Sequence, residues 1–176
     1  MNRRTVLTRI VQAFSLTGFA FLTYPFIRAF VPSFEEDLSL EIDLSGLSVN
    51  HSKTISWLGR NLYIVRRSDK VSNRLFQESE QLKDPASRDS VQPDFARNPW
   101  RSKHPDIFVV FKNCTHLGCE VAAQTSATSS GFSCPCHNSQ FDSSGRVEKD
   151  SVASFNLEVP DYEYVSRDVI RLIKTS

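Results

Sequence analysis

The pattern of hydrophobic and polar positions divides this chain into an apolar start and an alternating remainder. Residues 10–27 contain no charged side chain and are rich in Phe, Leu, Val and Ala. About 20 apolar residues carry a helix across roughly 30 Å of hydrocarbon, and Arg28 with the short extension to Val31 supplies the interfacial end, so the run predicts a membrane-spanning helix. Pro32, Ser33 and the acidic Glu35, Glu36 and Asp37 break it, which reads as a linker leaving the membrane. Beyond the linker the period becomes two: Leu38, Leu40, Ile42 and Leu44 alternate with polar residues up to Ser45-Gly46, as in a half-buried strand.

Residues 54–58 and 61–66, divided by Gly59-Arg60, predict a hairpin. Residues 71–83 are poor in β-formers and rich in Gln, Glu, Asn and Arg, and they end before Asp84-Pro85, which predicts one short helix. Between Pro85 and Pro105, with Pro93 and Pro99 inside, the composition predicts an extended surface excursion. Residues 107–111 are continuously apolar, a buried strand, and residues 154–159 and 168–173 return to strand-like alternation. The expected fold class is all-β, built of antiparallel sheets, with the short helix in an insertion and one N-terminal transmembrane helix. The expected division is residues 1–31 as signal and anchor, 32–45 as hinge and first strand, and 46–176 as a single soluble domain.

The whole chain is 176 residues, enough for one core and a short appendage. Its 21 Lys and Arg nearly cancel its 20 Asp and Glu, for a net charge of +1, so bulk charge gives no argument for a nucleic-acid partner. Charge placement says more. Arg3 and Arg4 precede the apolar run and resemble a twin-arginine export signal, which serves proteins exported folded around a cofactor. Pro25, Phe26, Ile27 and Arg28 stand where a small-x-small cleavage site would, so the run is read as an uncleaved anchor in the lipid bilayer. Arg3, Arg4 and Arg9 then stay cytoplasmic and the bulk of the chain is periplasmic, in an oxidising compartment where a disulfide is permissible.

The chemistry is concentrated in one place. All four cysteines, Cys114, Cys119, Cys134 and Cys136, fall with His116 and His137 in residues 114–137. Ligands of a single metal centre must bunch in this way. Thiolate and imidazole suit both zinc and iron–sulfur clusters. A zinc site, however, would leave two of six candidate ligands without a role, and Cys-x-His is not the usual zinc knuckle. A cluster with two cysteines on one iron and two histidines on the other uses four and leaves two cysteines to cross-link the loops.

Cys114-Thr115-His116-Leu117-Gly118-Cys119 followed by Cys134-Pro135-Cys136-His137-Asn138-Ser139 resembles the two cluster-binding loops of Rieske proteins of the cytochrome bc type. Residues 141–146 and 156–162 resemble the turn and strand that follow in that family. Leu82-Lys83-Asp84-Pro85 and residues 97–102 resemble the insertion of its bacterial members. The resemblance implies a Rieske fold with a small cluster-binding subdomain, about residues 112–146, and one 2Fe-2S cluster. Cys114 and Cys134 would ligate one iron, His116 and His137 the other, Ser139 would hydrogen-bond the cluster, and Cys119 would pair with Cys136. It further implies quinol bound in cytochrome b and contacted by His137, a c-type cytochrome as acceptor, and a hinge at residues 31–38 about which the head swings. The chain would be an electron-carrying subunit of a quinol–cytochrome c reductase in the bacterial inner membrane.

Three positions depart from the family pattern. Asn138 stands where Gly is common, Phe141 where Tyr is common, and residues 150–154 where a Gly-x-Pro-Ala-Pro loop usually shields the cluster. Without the tyrosine hydroxyl, and under a less rigid, more polar cover, the midpoint is expected to lie below that of a typical ubiquinol-oxidising member, a value that would favour a menaquinol-like donor without fixing which quinol it is. His51, His104 and the Arg66-Arg67 pair are read as solvated, and Trp57 and Trp100 as packing residues. The competing assignments are the small Rieske subunit of a molybdenum oxidoreductase such as arsenite oxidase, and a Rieske oxygenase or its ferredoxin. The latter ordinarily lack the two extra cysteines, and an oxygenase needs a 2-His-1-carboxylate site for which only His51 and His104 remain.

Overall fold

A computed structural model describes residues 2–30, 38–77, 79–125 and 130–174. The chain forms two compact units, Met1–Asp37 and Leu38–Ser176. The linker with its acidic run, and the expected hinge up to residue 37, lie outside the described residues.

In the first unit, α1 (Arg3–Phe30) extends the apolar run into a helix of 28 residues, which at 1.5 Å per residue reaches about 42 Å. It is long and apolar enough to cross a membrane. Thr8, Thr17 and Thr23 return their hydroxyls to the carbonyls of Arg4, Ala13 and Phe19 one turn back, so these polar groups need no water.

The second unit is built, among the described residues, from three antiparallel three-stranded sheets. One has the order β1 (Leu40–Asp43), β9 (Val169–Ile173), β8 (Asp161–Ser166). Another joins β2 (Ser52–Trp57), β3 (Arg60–Arg66) and β4 (Ile107–Phe111). The third is β5 (Ala122–Thr125), β6 (Ser130–Ser133) and β7 (Gln140–Asp142), with the cysteines in the loops before β5 and between β6 and β7. The hairpin turns at Leu58 and Gly59, φ +51° and +74°, so the left-handed backbone falls where the glycine was expected to punctuate the strands. All five residues of β4 are buried, as a continuous apolar run requires. Edge-to-face contact of Tyr63 with Phe132, 5.3 Å between centroids, packs β3 against β6. Trp57 stacks on Phe111, and Trp100 meets Phe76 edge-on, so both tryptophans are packing residues. His51 and His104 are exposed as expected.

Four expectations need correction. The helix is α2 (Asp69–Arg74), shorter and earlier than residues 71–83; past it Leu82 bridges Glu148 instead of extending a helix. Residues 85–105 are not a surface excursion: Ser87, Ala96, Arg101 and Ser102 are almost fully buried, because their polar groups find partners inside. Arg67 is not solvated but 4% exposed. It donates to the carbonyls of Pro105 and Trp100 and to Ser102 Oγ, and burial, against the pull of Asp142, lowers its pKa to about 10. Residues 154–159 form no strand, since Asn156 spends its amide on Asp84 and Ser87 and its carbonyl oxygen on the Val147 N–H.

Candidate metal centre

The two cysteine loops share one backbone design. Each is a six-residue excursion closed by a bridge, Asn113 with Glu120 for the first and Ser133 with Gln140 for the second. In the first, the Cys114 N–H donates to Cys119 O and the Gly118 N–H to Cys114 O, both at 2.8 Å. In the second, Cys134 N–H donates to Ser139 O at 2.8 Å and Asn138 N–H to Cys134 O at 2.9 Å. The fifth residue of each loop is left-handed, Gly118 at φ +80° and Asn138 at φ +55°. Asn is the non-glycine residue that tolerates this conformation best. Asn138 therefore preserves the turn that Gly would make, and its Oδ1 also accepts Gln140 Nε2 at 2.8 Å.

This design sorts the candidate ligands by depth. Cys114 and Cys134 are free thiols, 3% and 1% exposed. Burial, and secondarily the neighbouring Cys134 thiol, push the Cys114 thiol up. His116 is half-buried and His137 exposed, and their rings meet at 4.8 Å between centroids, 82° apart in plane. Cys119 and Cys136 form a disulfide that ties the loops, with Cα atoms 6.6 Å apart. Cys134 Sγ lies within 4.8 Å of both disulfide sulfurs, but those sulfurs are already bonded to each other and offer no thiolate.

His116 Nδ1 tests whether the residues fit a metal group. It is buried without a hydrogen-bond partner, a state that costs about 1–3 kcal/mol if nothing bonds the nitrogen. A stranded imidazole nitrogen beside two buried thiols is a donor set of mixed softness, suited to an iron–sulfur group.

A third segment covers the loops. Ser139, fully buried, accepts the Ala153 N–H on its Oγ at 3.0 Å. Thr115 Oγ1 donates to Phe155 O at 2.6 Å, and Ser151 Oγ exchanges hydrogen bonds with the Gln140 backbone. Lys83 Nζ donates to Ser151 O and Ala153 O at 2.6 and 2.8 Å. The cover thus lacks prolines yet is fastened at several points, and its Ala153 is fully buried; the expectation of a loose cover is corrected. Behind it, Arg101 is completely buried and donates to the carbonyls of Ser144, Gly145 and Leu157 and to Gln92 Oε1. Arg146 grips Asp142 at 2.7 Å. The sequence reading missed Lys83, Arg101 and Asn156. Their only sequence signal is polar residues flanking the site in segments read as helix end, surface excursion or strand.

A model of the Rieske [2Fe-2S] domain matches residues 42–162. The ubiquinol-cytochrome c reductase iron-sulfur subunit of Allochromatium vinosum is 32% identical over 179 residues, spanning 96% of this chain and 86% of that protein. Its namesake in Rickettsia prowazekii is 34% identical over 174 residues, spanning 97% and 93%. A solved chain described as hyperthermophilic respiratory complex III aligns with TM-score 0.49 at 20% identity, over 93% of this chain and 98% of that one. Paired cysteine loops of one design, a stranded imidazole nitrogen between them and near-full-length relatives lead to one assignment: the chain belongs to the Rieske 2Fe-2S family, among the ubiquinol-cytochrome c reductase iron-sulfur subunits.

Proposed function

We infer that this chain is the electron-transfer subunit of a cytochrome bc complex, taking an electron from quinol and delivering it to a c-type cytochrome. The observation that carries this reading is the layering of the site: two buried thiols behind, two imidazoles in front, and His137 exposed at the surface. Cys114 and Cys134 would hold one iron of the cluster and His116 and His137 the other. When bound, the cluster supplies one-electron chemistry at the potentials that mixed Cys and His ligation allows, roughly −150 to +300 mV. His137 presents its outward nitrogen to the quinol hydroxyl and takes up the proton as the electron leaves. The Ser139 hydroxyl oxygen accepts the Ala153 N–H, which leaves its own hydrogen free; it would hydrogen-bond the bound cluster and tune its potential. Leu117, Val152 and Phe155, 71%, 52% and 48% exposed, give the tip an apolar rim that seats in cytochrome b.

The helix α1 anchors the chain in the bacterial inner membrane with Arg3, Arg4 and Arg9 on the cytoplasmic side and the second unit in the periplasm. The paired Arg3 and Arg4 address the twin-arginine machinery, and residues 31–38 act as the hinge between quinol and cytochrome c positions. Phe141 lies in the buried core without a hydroxyl, which keeps the midpoint low and favours a menaquinol-like donor. Electron paramagnetic resonance of reduced membranes, combined with redox titration, tests the assignment. The expected result is a rhombic signal with an average g below that of all-cysteine clusters and a midpoint in the lower half of the range above. A silent sample holding stoichiometric zinc overturns the function, and a midpoint in the upper half overturns the low-potential reading alone.

A further inference from the structure

Lys83 sits in the insertion, outside both cysteine loops, yet its ammonium is committed to the segment that covers them. Its Nζ donates to Ser151 O at 2.6 Å and Ala153 O at 2.8 Å. Among the described residues it has no carboxylate within ion-pair distance. The peptide segment it grips is the one whose Ala153 N–H donates to Ser139 Oγ at 3.0 Å and whose Ser151 Oγ accepts the Gln140 N–H at 2.8 Å. Residues 151–153 are therefore held twice, by a cation on the carbonyls of Ser151 and Ala153 and by the second cysteine loop and its flank on the Ala153 amide and the Ser151 hydroxyl.

Two physical effects follow. By fixing the carbonyls of Ser151 and Ala153 the cation fixes the Val152–Ala153 peptide between them, and the N–H that this peptide donates to the Ser139 hydroxyl oxygen makes that hydroxyl a stronger donor through its own hydrogen. The grip also substitutes for the φ restriction that prolines would impose in this cover. Lys83 has an exposed side chain, so water competes for its ammonium, but the carbonyls it binds belong to the buried Ser151 and Ala153.

We propose that Lys83 is a positioning residue for electron transfer: it holds the cover segment so that the Ala153 N–H orients Ser139 toward the cluster, and through Ser139 it raises the midpoint. This rests on the reading that Ser139 hydrogen-bonds the cluster.

The test is a redox titration of the full-length chain in membranes, followed by electron paramagnetic resonance, on Lys83→Met, Ser139→Ala and the double variant. Each single variant is expected to lower the midpoint, Lys83→Met by no more than Ser139→Ala, and the double variant is expected to match Ser139→Ala alone. Lys83→Arg, which keeps a cationic donor, is expected to stay closer to the parent value than Lys83→Met. An unchanged midpoint in Lys83→Met while Ser139→Ala shifts overturns the role of Lys83. So does a full additional shift in the double variant. An unchanged midpoint in Ser139→Ala overturns the underlying contact instead. Where Lys83→Met does not retain the cluster, Lys83→Gln is read against the same outcomes. Amide exchange at Ala153, faster in the Lys83 variants while residues 108–110 keep their protection, supports the grip; unchanged exchange at Ala153 overturns it.

Discussion

Replacing Asn138 separates backbone strain from side-chain bonding in the second cysteine loop. Asn138 is held at φ +55°, where an ordinary L residue pays about 1–2 kcal/mol and Asn less. Its side chain adds one hydrogen bond, from Gln140 Nε2 at 2.8 Å. Gln140 keeps other partners, Ser133 Oγ and the Asn138 carbonyl, so losing this bond costs only the low end of the usual range, about 0.5 kcal/mol. Asn138→Ala therefore adds strain and removes the bond, for a loss of about 1.5–2 kcal/mol. Asn138→Gly removes the bond and relieves the strain, while the freer unfolded chain costs about 0.4–1 kcal/mol, so the net is close to zero. For a domain of this size each kcal/mol moves the transition by a few degrees, and Asn138→Ala should fall by about 5–8 °C. The assay is thermal loss of the visible absorption and circular dichroism of the cluster in detergent-solubilised protein. If Ala and Gly at residue 138 are equally stable, or Gly is the weaker, the argument from left-handed backbone is wrong.

The remaining predictions concern tuning, packing and acid stability. Phe141→Tyr adds a hydroxyl where the family has one; a hydrogen bond of about 0.5–1.5 kcal/mol raises the midpoint by roughly 20–65 mV at 59 mV per tenfold, and a redox titration showing no rise refutes it. Arg101→Met strands three buried carbonyls and Gln92 Oε1, for a loss above about 3 kcal/mol, whereas Arg101→Lys recovers only part; the same thermal assay ranks them. Arg101 remains charged at neutral pH, since burial lowers its pKa only to about 9. Burial alone would raise the Asp84 carboxyl, but hydrogen bonds from Arg88, Asp89 and Ser90 outweigh it and hold it below its unfolded value. Its stabilisation is therefore present above about pH 4 and lost as pH falls through the folded value. The bleaching temperature should be level from pH 7 to about 5 and fall below about 4, more steeply than in Asp84→Asn.

What the sequence revealed depended on whether the information was local. The cysteine loops were legible because ligands of one centre must lie close together, and both loops turn up side by side, with Cys119 and Cys136 bonded. The strands β1, β2, β3 and β4 were legible because burial on one face or two writes a period of two or a continuous run. Arg67, Arg101 and Arg146 were opaque. Nothing local distinguishes a solvated arginine from one whose fork meets inward-facing carbonyls 30 or more residues away, as Arg67 meets Trp100. Residues 154–159 misled for a related reason: their alternation is real, but Asn156 and Leu157 bond to Asp84 and Gly145 rather than to a strand.

Three residues of the insertion, Lys83, Asp84 and Arg101, share a target. Lys83 bonds to Ser151 and Ala153, Asp84 through its carbonyl to Asn156, and Arg101 to Ser144, Gly145 and Leu157. Every one of those acceptors or donors lies in the stretch that follows the second cysteine loop. The insertion thus acts as an inner brace rather than a surface appendage. A brace of hydrogen bonds to main chain, those of Lys83 and Arg101 charge-assisted, holds conformation without restricting φ. This accounts for a cover that dispenses with the family's prolines while keeping Ala153 buried against Ser139. It also ties the potential of the centre to residues that never touch it. Weakening the brace should loosen Ser139 before it disturbs Cys114 or Cys134, because each cysteine loop is closed by its own backbone bonds and both are joined by the disulfide.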